Sequence, residues 1–190
     1  MSQKPINVLF LCTHNSARSI LAEATLNHIG RGRFKAYSAG SSPRDNQQPN
    51  PLGLKVLHAA GISTEGLSSK SWDEFALPDA PHMDLVITVC DNAAGEVCPY
   101  WPGQPATAHW GYADPSAIDG TDEQKLEAFR QTLHAIRRRL DLLVNLPAEP
   151  LLVLDEAYVD LAPAGTAPVI DPNPPNLIRL ASDGCEDDQL

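Results

Sequence analysis

Ile6-Asn7-Val8-Leu9-Phe10-Leu11 is an apolar run broken only by Asn7, and it ends at Cys12; the pattern predicts a buried strand over Ile6–Cys12. A helical pattern follows over 17–29 and is ended by Gly30. A second strand is predicted over 34–38, closed by Ala39-Gly40, and a second helix over 51–60, with Pro51 in its first turn and Gly61 past its end. A third strand is predicted over 84–89, a short helix over 92–97 and a short fourth strand over 107–110. The last helix is the clearest. Thr121-Asp-Glu-Gln124 has the form of a capping box, and Leu126, Phe129, Leu133, Ile136, Leu140 and Leu143 recur at spacings of three and four before Pro147 stops the pattern. Strands alternating with helices imply a parallel α/β sheet with its working edge at the carboxyl ends of the strands. Cys12 and Cys90 both fall at such ends.

The chain has 190 residues and is 43% hydrophobic, enough for one domain with a sizeable core. No apolar run approaches the roughly 20 residues that span a bilayer, and the start is too short in apolar residues for a secretory signal. A cytoplasmic location is therefore expected, with no membrane partner. Four cysteines in such a chain point to catalysis or metal binding more than to a disulfide scaffold. The net charge of -10 is unevenly spread. Residues 1–147 hold 13 Lys/Arg against 15 Asp/Glu, whereas 148–190 hold nine acids against the single Arg179. The nearly neutral body need not repel an anion. There is no basic stripe beyond Arg137-Arg138-Arg139, so no nucleic-acid partner is expected.

Cys12-Thr13-His14-Asn15-Ser16-Ala17-Arg18 sits where the first strand becomes a helix, and Ser19 follows. Backbone N–H groups of such a loop converge on one point, and the helix N-terminus adds positive potential. The same field is expected to lower the Cys12 pKa and supply a thiolate. Arg18 has the forked donors to grip two oxygens of a tetrahedral anion. The combination points to covalent chemistry on a phosphate-shaped oxyanion. A bystander cysteine beside a solvated arginine would also satisfy the spacing, as would an anion-binding sensor without catalysis.

Cys90 and Cys98 bracket seven residues, with Gly95 between them and Pro99, Pro102 and Pro105 after them. Such a segment can rearrange at low cost, as a thiol relay from Cys12 to Cys90 to Cys98 requires. The alternatives are inert core thiols and a zinc site with His82 or His109, for which seven intervening residues exceed the usual spacing. Asp114, before Pro115, is either a turn residue or a general acid that protonates a departing oxygen.

Taken together, Cys12–Ser19, Ala22-Glu23-Ala24, Tyr37-Ser-Ala-Gly40, Val89-Cys90-Asp91, Val97-Cys98-Pro99 and His109-Trp-Gly111 leading to Asp114-Pro115 resemble the low-molecular-weight protein-tyrosine-phosphatase fold family, and more closely its arsenate reductases. The resemblance covers about residues 5–146. It implies a three-layer α/β sandwich with a four-stranded parallel sheet. It implies Cys12 as nucleophile, Arg18 as clamp, Asp114 as acid, Asn15 as the residue holding the loop shape, and Ser19 as a donor to the thiolate. It further implies Cys90 and Cys98 as relay cysteines that end in a disulfide handed to an external reductant, thioredoxin or glutaredoxin with glutathione. Arsenate is the substrate implied, with no tightly bound cofactor. Some relatives bind potassium, and Asn15, Glu23 and Ser38 match part of that site; no other metal is expected. His14 stands where many relatives carry glycine and is expected to point outward. The rival reading is a protein-tyrosine phosphatase using Cys12, Arg18 and Asp114, although Ser116-Ala117-Ile118 offers no aromatic ring to stack on phosphotyrosine.

The domain expected over 1–147 is followed by an acidic, Pro-rich, irregular extension over 148–190. Leu151-Leu-Val-Leu-Asp155-Glu-Ala-Tyr158 and Asn176-Leu-Ile-Arg-Leu180 resemble a fragment of histidinol-phosphate-type aminotransferases. That family needs a Schiff-base lysine, and no lysine follows Lys125, so the segment is expected to be a non-functional remnant that binds no pyridoxal phosphate. Cys185 is expected to be a bystander.

Overall fold

The computed structural model describes residues 4–90, Gly103 and 105–145, together with the backbone of two short strands, Leu154–Asp155 and Arg179–Leu180. The sheet is formed by β1 (Ile6–Cys12), β2 (Phe34–Gly40), β3 (Leu85–Thr88) and β4 (Ala106–His109), in the order β2-β1-β3-β4 with every pair parallel. β1 is central, and six of its residues, Asn7 to Cys12, are buried among helices and neighbouring strands. This accounts for its near-continuous apolar run: a strand covered on both faces has no polar side to show.

Three helices lie on one face: α1 (Arg18–Ile29), α2 (Pro51–Ala59) and α3 (Asp122–Asn145). Alternate residues of the strands, Val8, Phe10, Ile87 and Ala108 among them, pack there against Leu21, Val56, Phe129 and Ile136. The opposite face receives Leu9, Leu11 and Val86, covered by Trp72, Phe75 and Met83. A short 3-10 turn, Trp72–Phe75, capped by Ser71, therefore forms the third layer, and the sequence pattern did not signal it. The capping box is present: Thr121 N–H donates to Gln124 Oε1 at 2.9 Å, and Gln124 N–H donates to Thr121 Oγ1 at 3.3 Å.

The predicted elements that fall on the described residues are recovered with boundary shifts of one or two residues. The second strand runs on to Gly40, and the helix predicted over 51–60 ends at Ala59. α1 has no amphipathic stripe, because Ser19 to Leu26 are all buried between the sheet and the other two helices. Leu154–Asp155 and Arg179–Leu180 pair as a separate two-stranded parallel ladder, β5 and β6. The helix predicted over 92–97, Cys98, Tyr158, Cys185 and the side chain of Asp155 lie outside the described residues. Among the described residues, no helix is long and apolar enough to cross a membrane.

Candidate active site

β1 delivers Cys12 to the carboxyl edge of the sheet, and the chain turns through 13–17 before α1 begins at Arg18. The turn is held from below by the segment leaving β2: Ser41 N–H donates to Cys12 O at 3.1 Å and Ser42 N–H to Thr13 O at 2.8 Å. Gly40 lies directly beneath. A Cβ there would stand 2.7 Å from Thr13 O and 3.0 Å from Asn15 N, so any side chain would collide with the loop backbone. Ala17, the residue preceding α1, provides no side-chain cap, and the first helical turn contains no acid. The N–H groups of that turn and their positive potential are left for an anion.

Asn15 is the keystone of the loop. It is completely buried, and its φ of 50° is a left-handed conformation that asparagine tolerates better than most residues. Its Nδ2 donates to Ser19 Oγ at 2.9 Å and Ser38 Oγ at 2.8 Å, and its Oδ1 accepts from Lys70 N–H at 2.9 Å. Ser69 Oγ donates to its carbonyl at 2.6 Å, and its own N–H donates to Cys12 Sγ at 3.2 Å. Ser38 in turn donates to Glu23, and Lys70 Nζ is 3.8 Å from Glu23 Oε2. His14 turns outward to the Ser42 carbonyl, 2.9 Å from its Nδ1.

Cys12 is a free, buried thiol with Ser19 Oγ 2.9 Å from its sulfur. Its acidity differs from the sequence expectation. Burial pushes the Cys12 thiol up, against the Ser19 hydroxyl that pulls it down; nearby Cys90 adds to the rise, and the N–H groups of Asn15 and Ser19 oppose it. Arg18 is tethered by two groups from the segment that follows β4. Its guanidinium donates to Tyr112 O at 2.8 Å and to Asp114 Oδ2 at 3.0 Å.

Asp114 is about one-third exposed. Its other oxygen caps the turn Pro115–Ala117 by accepting from Ser116 N–H at 3.0 Å and from Ser116 Oγ at 2.6 Å. Together these groups enclose a cavity of about 100 Å³, floored by Cys12 and the loop and closed on one side by Asp114 and Ser116. Cys90, also free and buried, places its sulfur 3.6 Å from Thr13 Oγ1. So Cys12, Arg18, Asp114 and Cys90 lie around one loop, as do Thr13 to Ala17 and Ser19. Cys98 lies outside the described residues. No cluster of three or more His, Cys, Asp or Glu suited to a metal occurs among the described residues.

Sequence reasoning missed Lys70, Ser69, the Tyr112 carbonyl and the Ser116 groups that donate to Asp114. None belongs to the loop motif; each reaches it from a distant part of the chain. Gly40 was visible only within Tyr37-Ser-Ala-Gly40.

A four-stranded parallel sheet that offers a cysteine, an anion loop and an arginine at one strand end defines a thiol-based oxyanion enzyme fold. The sequence model of the low molecular weight phosphotyrosine protein phosphatase family matches residues 7–150, and the chain belongs to that family. It is 38% identical over 142 residues to an arsenate reductase of Bacillus licheniformis, covering 74% of this chain and 94% of the relative. It is 36% identical over 133 residues to an arsenate reductase of Halalkalibacterium halodurans, covering 70% and 91%. The crystal structure of an arsenate reductase from Archaeoglobus fulgidus is similar with a TM-score of 0.57 at 29% identity, over 73% of this chain and 99% of that one.

Proposed function

We propose that this chain reduces arsenate to arsenite, with the chemistry confined to residues 1–147 and no catalytic part played by 148–190. The observation that carries the proposal is Cys90: a second free thiol lies against the nucleophile's own loop, where a hydrolase needs none. The similarity to arsenate reductases over most of their length supports the same reading.

In this reading an arsenate dianion enters the loop and draws Arg18 away from Asp114 and Tyr112. The dianion takes the Cys12 proton, which burial makes reluctant to leave in bulk solvent. The Cys12 thiolate attacks As(V), Asp114, released from Arg18, relays a solvent proton to an arsenate hydroxyl, and that oxygen departs as water. Cys90 then attacks the Cys12 sulfur. The S–As electron pair stays with arsenic, which leaves as As(III), and a Cys12–Cys90 disulfide forms. Cys98 attacks Cys90 and frees the Cys12 thiolate. An external thiol reductant, thioredoxin or glutaredoxin with glutathione, reduces the Cys90–Cys98 disulfide.

The test compares wild type with Cys90→Ser. Wild type should consume arsenate with a dithiol reductant, and one turnover without reductant should leave a Cys90–Cys98 bridge visible by mass spectrometry. Cys90→Ser should lose turnover while still hydrolysing an aryl phosphate. Equal aryl phosphate hydrolysis by both proteins, with arsenate turnover by neither, would assign the site to a phosphatase.

A further inference from the structure

Beneath the loop lies a buried carboxyl group that the proposed reaction does not use. Glu23 is almost fully enclosed in α1, where burial pushes its carboxyl up and the Lys70 ammonium opposes that rise. A buried carboxylate is stabilised by a paired cation, and the structure places the Lys70 ammonium beside this one. The Asn15, Glu23 and Ser38 arrangement does not suit a metal cation. Hard cations take oxygen ligands. Asn15 turns its amide nitrogen, not its oxygen, toward Ser38, and its oxygen is already taken by the Lys70 N–H. Ser38 directs its hydroxyl proton at Glu23. The Lys70 ammonium, 3.8 Å from Glu23, is also held by Ser68 O at 2.9 Å.

We propose that Lys70 is a built-in cation: its ammonium stands in for a potassium ion and positions Asn15, and through it the oxyanion loop, from below. Its backbone serves the same end, because Lys70 O accepts from Gly40 N–H at 2.9 Å while Lys70 N–H grips Asn15. One residue thus ties the end of β2, the buried carboxylate and the left-handed loop residue together. The proposal rests on the loop being an oxyanion site, and not on arsenate being its substrate.

The test measures the affinity of inorganic phosphate and the melting temperature of the full chain in potassium chloride and in choline chloride at equal ionic strength. Wild type should behave alike in both salts. Lys70→Ala should bind phosphate about tenfold or more weakly in choline chloride, since it leaves a buried charge unpaired. Potassium should not restore that affinity, because Lys70→Ala keeps the backbone N–H that holds the Asn15 oxygen, and Lys70→Arg should stay close to wild type. A saturable potassium response in wild type would overturn the proposal, and that arm decides even if Lys70→Ala does not fold. So would a Lys70→Ala protein that binds phosphate as wild type does in choline chloride, or a Lys70→Arg protein weakened as much as Lys70→Ala. Failure of arsenate turnover leaves these readouts intact, so the two proposals fail separately.

Discussion

Ser19→Ala isolates the group that most directly favours the Cys12 thiolate. Ser19 Oγ accepts from Asn15 Nδ2, which leaves its single proton free to be donated to a Cys12 thiolate 2.9 Å away. A hydrogen bond to a charged partner is worth about 1.5–3 kcal/mol. At about 1.36 kcal/mol per pKa unit, removing this donor should raise the Cys12 pKa by about one to two units. The sign is fixed, because the lost donor favoured only the charged form. A more basic thiolate is also a better nucleophile, with a Brønsted slope of about 0.4–0.5, so the net rate at neutral pH should fall about 3- to 16-fold. The assay is the rate of iodoacetamide alkylation of the Cys12-bearing peptide against pH in the reduced protein, read by mass spectrometry. The midpoint should move to higher pH in Ser19→Ala. An unchanged midpoint would refute the geometry in which the Ser19 proton points at sulfur.

Two further predictions probe the loop and its wall. Gly40→Ala places a methyl group 2.7 Å from Thr13 O, where only backbone can give way. It should cost about 1–3 kcal/mol and greatly weaken phosphate binding, checked by thermal melting and calorimetric titration; wild-type affinity would contradict the close packing. Tyr112 is pushed up to about 12 from 10 by burial, with Arg139 opposing. A folded-state pKa above the unfolded one means stability is complete below about pH 10 and falls by up to about 2.7 kcal/mol as pH rises through 12. Urea unfolding of Tyr112→Phe should lack that component of the alkaline loss.

The backbone of the site was largely legible from residue order. The apolar run into Cys12, the turn into a helix and the alternation of later strands are local patterns, and local patterns follow from burial and backbone sterics. They place Cys12, Cys90 and Asp114 near one sheet edge, because parallel strands bring their carboxyl ends together. α1 was legible by its boundaries alone; its burial on all sides follows from α2 and α3 covering it, which no periodicity within 18–29 expresses. The third layer at Trp72–Phe75 escaped for a related reason, since four residues are too few to carry a period.

What the sequence by itself determined was the chemistry available: a thiol and a guanidinium spaced to bracket an anion loop, with a second thiol at a neighbouring strand end. Tertiary structure decided how those groups are tuned. Enclosure by the sheet and α1 raises the Cys12 thiol where the loop motif alone predicted a fall. The contact with Asp114, 96 positions away, fixes where Arg18 points. Lys70 supplies the charge beneath Asn15 across 55 positions. Acidity and orientation depend on surroundings that converge only when distant segments pack, whereas strands, helices and turns are written in neighbouring residues.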